Sequence, residues 1–166
     1  MKINFVYLQF LKMKKIIFIF SLLLLSNNCL AAGSSDSENK TDLYKSAKKL
    51  ILKAKKLEKK DKVEKALALY LKAYKKLEKA YAKDKKNPDI LNYLGYTLRK
   101  KGDFDKAETY YLKGLKLDAE HLGINEYLGE LYVQTNRIDL AKERLSVLKG
   151  CNCEEYEELK ELIEKK

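Results

Sequence analysis

Shifted by 34 positions against itself, the chain repeats: Tyr93-Leu94-Gly95 falls on Tyr127-Leu128-Gly129, Phe104 on Ile138 and Ala107 on Ala141. The same shift places Leu98 on Tyr132, Gly102 on Asn136, Tyr111 on Leu145 and Gly114 on Leu148. A period of this size predicts a solenoid of helix pairs, because one pair cannot bury its own apolar face and neighbours must stack. Composition agrees. One proline and seven glycines in 166 residues are too few for an all-β sandwich, which needs frequent turns, and 36% charged residues is a helix-rich balance. Gly95 and Gly129 fall inside helices, where glycine costs about 1 kcal/mol against alanine. A small residue kept there implies that another helix crosses closely. Gly102 and Asn136 fall just past a helix end, where a left-handed cap is wanted.

A third unit lies upstream. Asp61-Lys62-Val63-Glu64-Lys65-Ala66 parallels Asp103 to Ala107, but Ala66 and Ala107 are 41 residues apart, 34 plus seven. Seven residues are about two helical turns, so the second helix of the first pair is expected to run two turns longer, over 62–83. Its apolar positions Ala66, Leu69, Tyr70, Ala73, Leu77, Ala80 and Tyr81 keep helical spacing. The first helix is expected over 43–60, capped by Thr41 or Asp42, with Leu43, Ala47, Leu50, Ala54 and Leu57 inward. A last helix over 154–165 covers the open end with a charged outer face.

The start of the chain reads as an address. Lys14-Lys15, an apolar run from Ile16 to Leu25 and the exit Ser26 to Ala32 follow the order of a secretory signal. The run is shorter than the ~20 residues of a spanning helix. Residues 1–31 are therefore expected to be a cleaved signal peptide, with Met13 an alternative start, and residues 32–42 a flexible linker. Cys29 offers a lipoprotein alternative, although Asn28 stands where a small residue usually precedes the acylated cysteine. The expected location is the periplasm.

The stretch from Asn87-Pro88-Asp89 to Asp118, with Leu94-Gly95, Leu98, Gly102-Asp103-Phe104, Ala107 and Tyr111, resembles a tetratricopeptide repeat (TPR). The unit from 122 resembles a second, with Asn136 in place of the turn glycine. The resemblance implies an all-α, right-handed TPR-type solenoid of three helix pairs, 43–87, 88–121 and 122–153, with a capping helix at 154–166. It also implies a concave groove, lined by the first helix of each pair, that takes an extended peptide or a partner helix. By register the groove residues are Lys48, Ile51 and Lys55, then Asn92, Tyr96 and Arg99, then Glu126, Tyr127 and Glu130. Glu126 and Glu130 would repel a peptide carboxylate, which excludes the carboxylate-clamp subset. The C-terminal run, ending in a cysteine pair before Glu154-Glu155-Tyr156, is similar to short exported bacterial TPR proteins.

Charge separates along the chain. Residues 32–86 carry 18 lysines and eight acids, whereas residues 151–166 carry three lysines and six glutamates. A lysine-rich first repeat is a solvated face or a weak contact for anionic membrane; export removes nucleic acid as a partner. Cys151 and Cys153 are open to three readings: a disulfide, a thiolate pair for copper or zinc with His121 as a third ligand, or plain structural thiols. Nothing in the pattern supplies a nucleophile–base pair, a carboxylate pair or a phosphate loop, so neither an enzyme nor a cofactor is expected. The leading function is a non-enzymatic periplasmic interaction module or scaffold with a protein or peptide partner. The alternative is redox or metal handling by the cysteine pair.

Overall fold

The computed structural model describes residues 39–166, and among them there are seven helices and no strand. The signal segment 1–31, Cys29, Met13 and the first part of the linker lie outside the described residues. The helices are α1 (Lys40–Glu58), α2 (Val63–Lys83), α3 (Pro88–Lys101), α4 (Phe104–Leu115), α5 (Leu122–Gln134), α6 (Ile138–Leu148) and α7 (Glu154–Glu164). They pack as successive antiparallel pairs, α1 on α2, α3 on α4 and α5 on α6. Each pair docks on the next, α2 on α3 and α4 on α5, and α7 closes the end against α5 and α6.

One local rule ends the first helix of every pair. Asp61, Gly102 and Asn136 stand at equivalent places and all have positive φ, 54°, 88° and 59°. The left-handed residue reverses the chain within a few positions and frees the last carbonyls for capping. The N–H of Asp103 reaches Leu98 O at 3.0 Å, and that of Arg137 reaches Tyr132 O at 2.7 Å. Glycine suits such a backbone best, and Asn and Asp are the side chains that tolerate it.

The first helix starts three residues earlier than expected and ends two residues sooner, at 58 rather than 60. Helix α1 begins at Lys40, so Lys40, Thr41 and Asp42 are helical rather than linker, and Asn39 supplies the cap, accepting from Thr41 N at 3.5 Å. Helix α2 has 21 residues against 12 in α4 and 11 in α6. The two extensions run alongside each other, and Lys40 Nζ meets Asp84 Oδ2 at 2.9 Å where α1 starts and α2 ends. On α1, Leu43, Ala47, Ile51 and Ala54 are buried, while Leu50 and Leu57 lie at the core's margin.

Small residues set the helix spacing. A Cβ on Gly95 would lie 2.5 Å from Tyr111 Cε1, in the second helix of the same pair. Ala54 is the equivalent residue of the first pair, fully buried like Tyr70, which occupies the place of Tyr111. The last pair departs from this scheme. Leu145 replaces the tyrosine, and the side chain that stands where a Cβ of Gly129 would be is Leu159 of α7. The C-terminal helix is thereby locked to the last pair by the same kind of contact that locks α3 to α4.

Candidate functional site

The first helices of the three pairs bring the expected groove residues together, but most are covered. Tyr96 at 2% exposure and Arg99, Asn92 and Glu126 at 4% are interior groups, and Ile51 at 1% belongs to the core. They were expected to line an open groove. They are covered because the first helices close on one another and α7 lies over α5. Lys48, Lys55 and Glu130 remain half-buried, and Tyr127 keeps an edge in solvent.

A polar network fills this centre. Tyr70, Tyr96 and Tyr127 form a ladder with ring centroids 5.7 and 4.8 Å apart. Lys55 Nζ sits 5.0 Å from the Tyr96 centroid and 5.2 Å from that of Tyr127, and donates to the Tyr127 hydroxyl at 3.0 Å. The Arg99 guanidinium lies 5.4 and 5.7 Å from the same two rings. Such cation–ring contacts stabilise most where water is excluded. Arg99 Nη1 is 2.7 Å from Glu130 Oε2, yet neither Nη1 nor Nε has an aligned hydrogen-bond acceptor among the described residues. The contact is therefore Coulombic in the main. Tyr70 donates to Glu58 Oε2 at 2.8 Å, and Glu58 also pairs with Lys100 at 3.0 Å.

Three carboxylates close the far side, with Glu126, Glu130 and Glu158 of α7 offering oxygens within 4.8 Å of one another. Burial, then a hydrogen bond to Glu158, then the charge of Glu130 push the Glu126 carboxyl up to about 9. Like charges this close share a proton rather than both ionise. The stability consequence has a definite sign. Between the unfolded glutamate range near pH 4.5 and pH 9 the folded chain holds a proton that the unfolded chain has lost. Stability therefore falls as pH rises through that window. Glutamine mimics the protonated acid, so Glu126→Gln should be more stable than the parent by about 1–3 kcal/mol at pH 8. The two should coincide at pH 4, where both side chains are neutral. Urea denaturation at the two pH values checks this.

What stays open is a cleft of about 410 Å³ beside the network. Its floor is Asn92, Tyr93 and Tyr127, its rim the carboxylates of Asp89, Asp118, Glu120 and Glu155, and Glu126 stands at its inner end. A smaller recess of about 140 Å³ shares Glu126, Tyr127 and Glu155 and adds Lys55, Glu154 and Glu158. Gly123 lets the start of α5 lie on Asn92, since a Cβ there would be 2.8 Å from the Asn92 amide nitrogen. Of these residues the register supplied Asn92, Glu126 and Tyr127. Tyr93 stands at the register of Tyr127 one repeat earlier, so the reasoning that named Tyr127 reaches it as well. The rim acids come from helix starts and a turn, which periodicity does not assign to a face.

The cysteines and the histidine lie apart in role. The Cys151 and Cys153 sulfurs stand at bonding distance, with Cα atoms 5.2 Å apart, and Cys153 begins α7. His121 instead caps α5. Its Nδ1 accepts from Ile124 N at 3.2 Å and its Nε2 faces Asp89 Oδ1 at 3.4 Å. Both ring nitrogens thus have partners other than the cysteines. Among the described residues, the one group with the geometry to hold a metal is the glutamate cluster, not Cys151, Cys153 and His121. No described helix is long and apolar enough to cross a membrane.

Residues 88–121 match the family model of the tetratricopeptide repeat. No curated protein matches the chain in sequence. Solved structures show the same fold. The Yersinia enterocolitica type III secretion translocator chaperone SycD is 19% identical, covers 73% of this chain and 88% of its own, and has a TM-score of 0.52. SycD in complex with a peptide of the translocator YopD is 19% identical over 71% of this chain and 86% of that one, with a TM-score of 0.50. The second TPR domain of human RPAP3, in complex with the HSP70 peptide SGPTIEEVD, is 18% identical over 77% of this chain and 100% of that one, with a TM-score of 0.51.

Proposed function

Because the described chain is an all-α solenoid of tetratricopeptide repeats, we propose that it is a non-enzymatic interaction module that holds a peptide or partner helix on the side formed by its first helices. The observation that carries this reading is the cleft floored by Tyr93 and Tyr127. Two tyrosines offer wide apolar area with polar tips, the chemistry enriched where proteins meet. Leu122, 40% exposed at its edge, adds an apolar contact that folding does not use. The two similar folds solved with bound peptides lend support by analogy of architecture.

We place the module in the periplasm, on the charged start, apolar run and small-residue exit of residues 13–32. An oxidising compartment suits a Cys151–Cys153 disulfide that fixes the turn into α7. Lysines of the first repeat give it a weak, salt-sensitive attraction to anionic membrane.

The test is partner capture. Pull-down from cells with Tyr93→Ala/Leu122→Ala should recover at least tenfold less partner than the parent chain, with helicity unchanged. Equal recovery would remove the cleft from the interaction.

A further inference from the structure

We infer that the occupant of this cleft is an extended segment bearing lysine or arginine side chains, a reading that rests on the interaction function proposed above. The chain as a whole carries a formal charge of +11, so generic attraction favours anionic partners. The cleft is a local reversal. The carboxylates of Asp89, Asp118, Glu120 and Glu155 line it beside the protonated Glu126, and no lysine or arginine does. Coulombic complementarity at such a site selects the partner's sign and speeds encounter.

A second, independent feature points the same way. Asn92, only 4% exposed, lines the cleft, and its Oδ1 has no hydrogen-bond donor among the described residues. A buried acceptor without a donor costs about 1–3 kcal/mol, which a donor from the occupant recovers. Ammonium and guanidinium groups are donors and never acceptors. Two of the chain's own cations already stand over the floor rings, Lys48 Nζ 5.6 Å from the Tyr93 centroid and Lys55 Nζ 5.2 Å from that of Tyr127, so the attraction for an incoming cation comes from the rim carboxylates and not from the rings.

Helix starts contribute as well. The carboxylates of Asp89 and Glu155 lie in the first turns of α3 and α7, where the helix dipole favours negative charge. Asp89 faces His121 Nε2 at 3.4 Å across the cleft wall. Asp118 and Glu120 sit in the turn before α5 and are exposed, with Asp118 Oδ1 accepting from Glu120 N at 3.2 Å.

Calorimetric titration of the full chain tests the assignment with two blocked peptides, one alternating glycine with lysine and the other glycine with glutamate. At low ionic strength the lysine peptide should bind, and Asp118→Asn/Glu155→Gln should weaken it about tenfold. Asparagine at 118 still accepts the turn hydrogen bond from Glu120 N, so the fold is preserved. Absence of lysine-peptide binding, or binding indifferent to the two substitutions, would overturn the inference. The function beneath it fails separately. A cellular partner captured through the cleft by an acidic segment refutes the cationic occupant alone, whereas no capture through the cleft refutes both.

Discussion

Replacing Tyr111 by alanine should destabilise the chain by about 3–5 kcal/mol, the range for emptying a fully buried aromatic site. Domains of this size are stable by about 5–15 kcal/mol, so much of the population would unfold. Tyr111 has no exposed surface, and its ring lies where a side chain at position 95 would begin. That contact makes a sharper prediction about Gly95. Alanine there gains about 1 kcal/mol of helix propensity. It also drives a methyl group to 2.5, 2.7 and 2.8 Å from three atoms of a ring that has no room to move. Overpacking of that kind costs about 1–3 kcal/mol, so Gly95→Ala should be net destabilising. In a Tyr111→Leu background the clash is gone and Gly95→Ala should become stabilising. At Gly129 the obstacle is the tip of Leu159, a flexible side chain, and Gly129→Ala should cost less than Gly95→Ala. Thermal melts followed by circular dichroism give the signs.

Arg99→Met should cost a comparable ~3–5 kcal/mol, because it breaks a buried ion pair from one side. The stem is retained and the charge is lost. Glu130 then faces Glu126 and Glu158 with no cation of α3 between the helices. The repulsion depends on ionisation, so the defect should shrink as pH falls below the carboxylate range. Adding Glu130→Gln should restore part of the loss at neutral pH, which a simple packing defect would not allow. Urea midpoints at neutral and acidic pH for the single and double variants measure both effects.

These two residues show what the sequence made legible and what it left out. The register of Tyr111, Gly95 and the turn residues Gly102 and Asn136 follows from self-similarity, since stacked pairs repeat the contacts that build them. Arg99 and Tyr96 were placed on the right face and at the wrong depth. Periodicity reports direction, whereas depth depends on how tightly first helices converge and on where α7 comes to rest. The last pair has Leu145 in place of Tyr111, and Leu159 of α7 stands against Gly129. The start of α1 was missed because Lys40, Thr41 and Asp42 are polar residues on an exposed first turn, with no apolar position to reveal the helix. Asp89, Asp118, Glu120 and Glu155 are ordinary acids one by one. Only the approach of α3, α5 and α7 makes them a rim.

Everything functional rests on the cleft between α3, α5 and α7 being where a partner lies. A photo-crosslinking amino acid at position 93, on its floor, measures this most directly in intact cells, with position 112 on the outward side of α4 as the reference. Leu112 is 43% exposed and Tyr93 is half-buried with a side open to the cleft, so both sites are accessible. The account predicts a discrete crosslinked partner from position 93 and none from position 112. Crosslinking from 112 alone, or from both positions equally, would contradict it.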